Sequence, residues 1–396
     1  MHVSRGVFDV ESAVRKLSSR FRRHPGQVSR LEWPVISAVR PLFYVIRFIG
    51  HAPLEIRDDR FVSWTYGIFY SILCCMLHTY LLYIVLRKFT GIERNTPILD
   101  VTETAKVISN YSVLMLNILG SLWTRKELAE VTNIMKQFDT RMRYLGYPLK
   151  ERSVKVWVFF TFVFSFIAWA VIVGTGIIAF HESFVENMIY ILGYVTNSFS
   201  TIKFSGIVLL LGQRFRHLNE VAQRSKDSST LPTQKYLGVD FRVIHQLHNS
   251  LMNASESLSR QYSWPLLAWL INLCGHSVAN LYFLIDWLVS TTDTVDTRWS
   301  LVACIAWWVV VFGSQLLLLH ITCHYTSSEA NSIGSILFNW KSSTIRRSYR
   351  IESSLHLINR RLNFSAAGCF HVNLPLLRSI TALLTTYLVL LLQFQA

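Results

Sequence analysis

The sequence predicts an all-α membrane protein with seven transmembrane helices, a cytoplasmic N-terminus and an extracellular C-terminus. Of its 396 residues, 51% are hydrophobic and only 16% are charged, whereas a soluble domain of this length is usually about one quarter charged. The hydrophobic residues form seven nearly uncharged runs. Each run reaches or approaches the roughly 20 residues with which a helix crosses about 30 Å of hydrocarbon. The runs occupy residues 62–86, 107–124, 156–180, 187–213, 263–289, 299–323 and 374–394.

The distribution of positive charge predicts the side of the membrane on which each connection lies. The net charge is +15, and the Lys and Arg residues outside the spans divide as 32 on one set of alternating connections and 5 on the other. Positive charge is retained in the cytoplasm, so the N-terminus is placed inside and the seventh span ends outside. Because these charges already explain the topology, we expect the lipid bilayer as a partner and no nucleic acid.

The segment before the first span predicts an interfacial helix. It reads RPLFYVIRFIGHAPLEI over residues 40–56, which is amphipathic but too short to cross a bilayer. Gly50 and Pro53 follow the apolar stretch and are typical of a helix end. We therefore expect a helix over 40–50 within a cytoplasmic region that covers residues 1–61.

The inner connections predict a layer of packed helices. GQRFRHLNEVAQRSKD continues the fourth span as a polar helix, and VDFRVIHQLHNSLMNASESLSRQ runs helically into the fifth. Two further amphipathic stretches, SSEANSIGSILFNWKSS and YRIESSLHLINRRL, precede the seventh span. Their apolar faces need partners, so neighbouring helices or subunits are expected to cover them. The predicted organisation is 1–61 cytoplasmic, 62–213 spans one to four, 214–262 cytoplasmic helical extension, 263–323 spans five and six, 324–372 cytoplasmic anchor helices and 373–396 the seventh span.

The outer halves of the spans carry the ring faces and amides from which small-molecule pockets are built. Part of this set also suits an aromatic belt at the membrane surface and hydrogen bonds between helices. Lys203 lies inside the fourth span, where a charge is a candidate for function, although snorkelling or a water-filled vestibule explains it equally well. The predicted ligand-binding residues are Tyr194, Asn197, His276, Asn280, Trp307 and Lys203.

Two histidines, His320 and His324, are four residues apart, a spacing that binds metal on a helix. Polar capping of the sixth span is the simpler interpretation, because no acidic residue lies in the turn before them. The sequence contains no Gly-rich phosphate loop, no GxSxG, no HExxH and no Asp or Glu pair inside a span. It therefore predicts no enzyme, no cofactor and no bound metal. An intramembrane metal-dependent hydrolase stays open as the alternative from a different class.

The end of the chain carries a longer pattern. The last span closes on Thr386-Tyr387, five hydrophobic residues and Gln393-Phe394. This ending, within FSAAGCFHVNLPLLRSITALLTTYLVLLLQF, resembles the terminal segment of insect gustatory receptors, and PLFYVIRFIGHAP is similar to their N-terminal amphipathic motif. The resemblance thus covers both ends of the chain, and length and topology agree in between.

The resemblance implies a tastant-gated, non-selective cation channel in the plasma membrane of gustatory sensory neurons. It implies a tetramer of like subunits, or a complex with other gustatory receptor subunits, and an outward-facing pocket for a small-molecule tastant among spans two to six. An odorant receptor subunit of the same superfamily is the nearest alternative, which the intact ending disfavours. A G-protein-coupled receptor is disfavoured by the predicted inside N-terminus and by the absence of Asn-Pro-x-x-Tyr.

The last span also predicts the pore. Asn373 and Pro375 are a capping residue and a first-turn proline, so a new helix is expected to begin there. Residues spaced three or four positions apart form one face of this helix. Their side chains are smaller and more polar than those of the Leu-rich remainder. A packing seam against another span is the alternative, whereas four symmetric copies of this face enclose a narrow conduit. The predicted pore and gate residues are Ser379, Ala382, Thr386, Val389, Gln393 and Phe394.

Overall fold

The computed structural model of the chain describes residues 34–57, 60–90, 97–149, 152–228, 239–289, 295–340 and 347–393. Within these ranges the protein is helical apart from two short antiparallel hairpins. The helices are α1 (Pro34–Phe48), α2 (Tyr66–Thr90), α3 (Pro97–Trp123), α4 (Arg125–Tyr144), α5 (Arg152–Phe180), α6 (Phe184–Ser228), α7 (Phe241–Gln261), α8 (Ser263–Val289), α9 (Val295–Phe338), α10 (Arg347–Asn359) and α11 (Leu374–Gln393). The strands are β1 (Leu54–Arg57), β2 (Arg60–Ser63), β3 (Ser365–Ala366) and β4 (Phe370–His371).

The seven predicted spans coincide largely with helices. Among the described residues, α2, α5, α6, α8 and α9 are each long and apolar enough to cross a membrane. Helix α3 passes the same test together with α4, from which a bend of 68° separates it, and α11 is a shorter apolar helix. Helices α6 and α9 extend well beyond the bilayer-crossing length, because polar helical sequence continues each span without a break. The side of the membrane on which each terminus and each connection lies remains a prediction.

Helix α1 begins earlier than predicted and is followed by structure that the sequence did not predict. It runs from Pro34 to Phe48 rather than over 40–50, and a proline at the first helical position is typical of a helix start. A hairpin of β1 and β2 then leads to α2. Gly50 allows the chain to turn out of α1 towards this hairpin. Its φ of +83° suits glycine, and a Cβ there would lie 2.8 Å from the Cβ of Cys74 on α2.

Helix α4 was not predicted, although its sequence has the pattern of a packed helix. Its buried side chains include Leu128, Val131, Met135, Phe138 and Met142, which recur at the spacing of one helical face. This face packs against α7, while α10 packs on α9. These helices therefore cover one another's apolar faces within a single chain.

A buried ion pair joins α4 to α6. The guanidinium of Arg214 lies 2.5 Å from a carboxylate oxygen of Asp139, and the two side chains are 0% and 8% exposed. Arg214 also donates a hydrogen bond of 2.7 Å to the carbonyl oxygen of Leu210. Because both charges are withdrawn from water, each depends on the other for compensation.

Helix α11 is attached to the rest of the chain on one side only. It begins as predicted, because the side chain of Asn373 accepts a hydrogen bond of 2.9 Å from the backbone N–H of Leu376. It packs mainly on α8 and α9. Phe394 lies outside the described residues. The other residues of the predicted pore face are all exposed in the single chain, namely Ser379, Ala382, Thr386, Val389 and Gln393.

Candidate ligand-binding cavity

A cavity of about 390 Å³ lies among α3, α5, α6, α8 and α9, beside the end of α2. Each of three helices contributes residues three or four positions apart, which lie on one helical face. The cavity is therefore a property of the bundle, and no single segment forms it. Its lining from these three helices includes Tyr190 and Tyr194 of α6, His276, Asn280 and Phe283 of α8, and Cys304, Trp308 and Phe312 of α9.

Aromatic rings form the wall of the cavity, with Tyr194 at their centre. The centroid of its ring lies 5.4 Å from that of Tyr190, 5.3 Å from that of His276 and 4.9 Å from that of Trp308. Trp308 in turn stacks on Phe312 at 5.4 Å. Edge and offset contacts of this kind hold rings rigidly, so the wall presents preformed ring faces to a ligand.

Polar atoms without partners line the same cavity. Among the described residues, the hydroxyl of Tyr194, both ring nitrogens of His276 and the side-chain NH₂ of Asn280 are buried and make no hydrogen bond. The carbonyl oxygen of the Asn187 side chain is also buried and has no hydrogen-bond partner among these residues. Buried polar groups are nearly always hydrogen-bonded, and a group left without a partner costs about 1–3 kcal/mol. Donors and acceptors that converge on one cavity therefore indicate a polar ligand or water.

The charged residues of the lining neutralise one another. Lys106 lies 2.7 Å from a carboxylate oxygen of Glu103 and donates a hydrogen bond of 3.2 Å to the side-chain oxygen of Asn280. Lys88 lies 2.8 Å from a carboxylate oxygen of Glu182. Because each ammonium already has a carboxylate, the lining has no net charge with which to select an ionic ligand. The cavity suits a neutral molecule with both hydroxyl groups and apolar faces.

The structure brings together three of the six residues predicted for the pocket, Tyr194, His276 and Asn280. Asn197 lies elsewhere, since its side-chain nitrogen donates to the side-chain oxygen of Asn110 at 2.7 Å and its oxygen accepts from Asn117 at 3.0 Å. These bonds tie α3 to α6 and have a structural role.

Two further predicted pocket residues also lie outside this cavity. Trp308 lines it instead of Trp307, because one residue along a helix turns the side chain by about 100°. Lys203 lines a different cavity on the other side of α6. The sequence analysis did not predict the ion pair of Glu103 and Lys106. Their spacing of three residues on α3 was a signal for it, because residues three apart are neighbours on a helix.

The two histidines with metal-binding spacing do not converge. His320 is buried, and its Nδ1 donates a hydrogen bond of 2.7 Å to the carbonyl oxygen of Leu316, while His324 is exposed. In the described ranges, no group of three His, Cys, Asp or Glu side chains is arranged to hold a metal ion.

Comparison with known proteins gives three findings. A family model described as 7tm chemosensory receptor matches residues 39–396. The gustatory receptor for sugar taste 43a of Drosophila melanogaster is 27% identical over 186 residues, which are 43% of this chain and 40% of that receptor. The aligned part is thus less than half of the relative's length.

Solved structures resemble the chain over most of its length. The insect olfactory receptor OR5 from Machilis hrabei in complex with eugenol has a TM-score of 0.62 at 14% identity, covering 91% of this chain and 98% of that one. A second structure of the same receptor gives a TM-score of 0.60 at 14% identity and covers 90% and 98%. Similarity at this level of identity concerns the fold alone, and it confirms the predicted helical membrane architecture.

Proposed function

The chain belongs to the 7tm chemosensory receptor family, and we propose from this that it is a gustatory receptor that opens as a tastant-gated, non-selective cation channel. The family is one of receptors and not of enzymes, so the hydrolase alternative is dropped. The observation that carries the proposal is the cavity described above, in which preformed ring faces surround unpartnered polar atoms. Such a lining gives a small neutral tastant both apolar contacts and hydrogen bonds.

A sugar is the first tastant class to test. Pyranose rings have apolar faces and several hydroxyl groups, which match the aromatic wall and the unpartnered atoms of Tyr194, His276 and Asn280. The similarity to a Drosophila receptor named for sugar taste supports the same choice.

The test of the function is expression of the chain alone in cells with a calcium or current readout. The cells are exposed in turn to sugars, alkaloids and plant phenolics, with volatile odorants as the arm for an odorant receptor. A response to a sugar from receptor that is expressed at the cell surface supports the proposal. If surface-expressed receptor responds only to volatile odorants, the gustatory assignment is wrong.

The pore is proposed to lie on the axis of a tetramer. Helix α11 packs on one side only, and its small and polar face is exposed in the single chain. Four copies related by symmetry would cover this face and enclose a conduit. Gln393 ends the described part of the conduit, and the following Phe394 is proposed as the hydrophobic gate.

A charge change at Gln393 tests the pore. We expect Gln393→Glu to shift the reversal potential towards that of calcium, because a ring of four carboxylates attracts divalent cations. The measurement is the tastant-evoked reversal potential in solutions of different calcium and sodium content. Thr381→Glu is the control, since Thr381 is exposed on α11 but off the proposed pore face. Equal reversal potentials for wild type and the Gln393 variant would remove α11 from the pore.

The predicted sides of the membrane are tested by epitope labelling. An epitope at the N-terminus is expected to bind antibody only in permeabilised cells, and one at the C-terminus in intact cells, because 32 loop cations lie on one side and 5 on the other. Labelling of both ends under the same condition would contradict an odd number of spans.

A further inference from the structure

The side-chain amine of Lys203 is buried and has only neutral partners in the described structure, one of which is the ring of Tyr262 at 5.8 Å from the amine nitrogen to the ring centroid. Its side chain on α6 is 7% exposed, and its ammonium donates hydrogen bonds of 3.0 Å to the carbonyl oxygen of His51 and 3.1 Å to the hydroxyl of Ser121. An ammonium has three N–H donors, so one donor is left without an oxygen partner among these residues. Among the described residues, no carboxylate forms an ion pair with it, although buried charges are normally paired.

A second cavity adjoins this lysine. It has a volume of about 100 Å³ and lies under α1, between α4, α5 and α6. The inward face of α1 covers it with Val35, Val39, Leu42 and Ile46, whose spacing is that of one helical face. The remaining lining is also mainly apolar and contains no acidic residue, and it shares no residue with the ligand-binding cavity.

We propose that this second cavity binds an alkyl carboxylate, with the acid group on Lys203 and the alkyl chain under α1. The carboxylate supplies the missing counter-charge through a charge-assisted hydrogen bond, which is stronger than one between neutral groups. The apolar lining removes the chain from water. A cavity of about 150 Å³ admits benzene, so the smaller volume of about 100 Å³ suits a short acid of about four carbons.

The proposed occupant would connect α1 to the transmembrane bundle. Lys203 already contacts the backbone of His51, which follows α1, and His51 in turn lies 3.0 Å from the hydroxyl of Ser200 on α6. An acid bound here would therefore add a contact between the interfacial helix and the fourth span. This site is separate from the tastant cavity, and its existence does not depend on the proposed function.

The experiment is a direct binding measurement on the purified full-length chain in nanodiscs of neutral lipid. Butyrate, butanol and butylamine are titrated by calorimetry. In the wild type we expect butyrate to bind at least tenfold more tightly than butanol, and butylamine to give no binding. Lys203→Met keeps the length of the side chain without its charge and is expected to weaken butyrate binding at least tenfold, while Lys203→Arg keeps most of the affinity. Tyr194→Phe in the other cavity is the matched control, with unchanged affinity.

Two further arms keep the proposal testable if a Lys203 variant fails to fold. Val39→Trp is expected to fill the cavity and to reduce butyrate binding at least tenfold with Lys203 intact. Dihexanoyl phosphatidic acid represents an anionic lipid. If it binds more tightly than butyrate, the assignment to a free acid is overturned. Equal affinity for butyrate and butylamine in the wild type would overturn the site itself, and neither readout requires the channel to open.

Discussion

Replacing Asp139 with leucine is expected to remove most of the receptor from the cell surface. The change leaves the fully buried guanidinium of Arg214 without this carboxylate. Removal of one partner of a buried ion pair costs about 3–5 kcal/mol. Native proteins are stable by only about 5–15 kcal/mol, so the loss is a large fraction of the total. Surface biotinylation and thermal aggregation of the solubilised receptor measure it.

An exposed ion pair provides the matched control for Asp139. Arg216 lies 3.1 Å from Glu220 one turn further along α6, and their side chains are 61% and 46% exposed. Exposed pairs contribute about 0–1 kcal/mol, so Glu220→Leu is expected to leave surface expression nearly unchanged. The double variant Asp139→Leu/Arg214→Met is expected to recover part of the loss, because it removes both charges. Equal surface expression of the Asp139 and Glu220 variants would contradict this account of the pair.

Replacing Trp308 with alanine is expected to have the largest effect on tastant response. Its ring contacts those of Trp169, Tyr190, Tyr194 and Phe312, at centroid distances of 5.4, 6.4, 4.9 and 5.4 Å. The substitution removes one wall of the cavity. It also removes the packing contacts that Trp308 makes with the neighbouring rings of Tyr194 and Phe312. Aromatic side chains at the centre of a binding site often contribute about 2 kcal/mol or more. We therefore expect the half-maximal tastant concentration to rise at least about thirtyfold.

Trp307 makes the comparison with Trp308 specific. It is the adjacent residue of the same type on α9 and is partly buried against the core, but it does not line the cavity. Trp307→Ala is expected to lower the amount of receptor at the surface while leaving the half-maximal concentration within about threefold of wild type. The dose–response curve of each variant is normalised to its surface expression. An equal rise for both variants would show that loss of packing, and not loss of a ligand contact, explains the result.

The sequence predicted the parts of the fold that depend on local chemistry. Bilayer thickness imposes a minimum length on apolar helices, so seven runs of suitable length can be recognised from residue composition alone. The start of α11 was predicted for a similar reason, since the capping bond of Asn373 spans only three residues. Helix α4 was missed because its apolar residues are spaced within a charged connection, and the apolar face becomes evident once α7 is placed against it.

The candidate site was predicted only in part. Tyr194, His276 and Asn280 lie where a pocket was expected, because their ring faces and amides recur along single helices. Trp307 and Asn197 have equally suitable side chains but do not line the cavity. The rotation of each helix about its axis determines which of these side chains line the cavity. That rotation depends on packing against residues distant in the sequence. Asn197, for example, bonds to Asn110, and Trp308 packs on Trp169.

The sequence by itself therefore determined the order and approximate positions of the apolar helical runs, because these follow from apolar length and from the bonds that a backbone makes with its near neighbours. Only the tertiary structure decided that Lys203 lies beside a cavity under α1 and that Arg214 pairs with Asp139. Both facts depend on contacts between residues far apart in the chain. Composition reveals that a charge inside the protein needs a partner, but only the packing of the helices reveals which groups are close enough to serve.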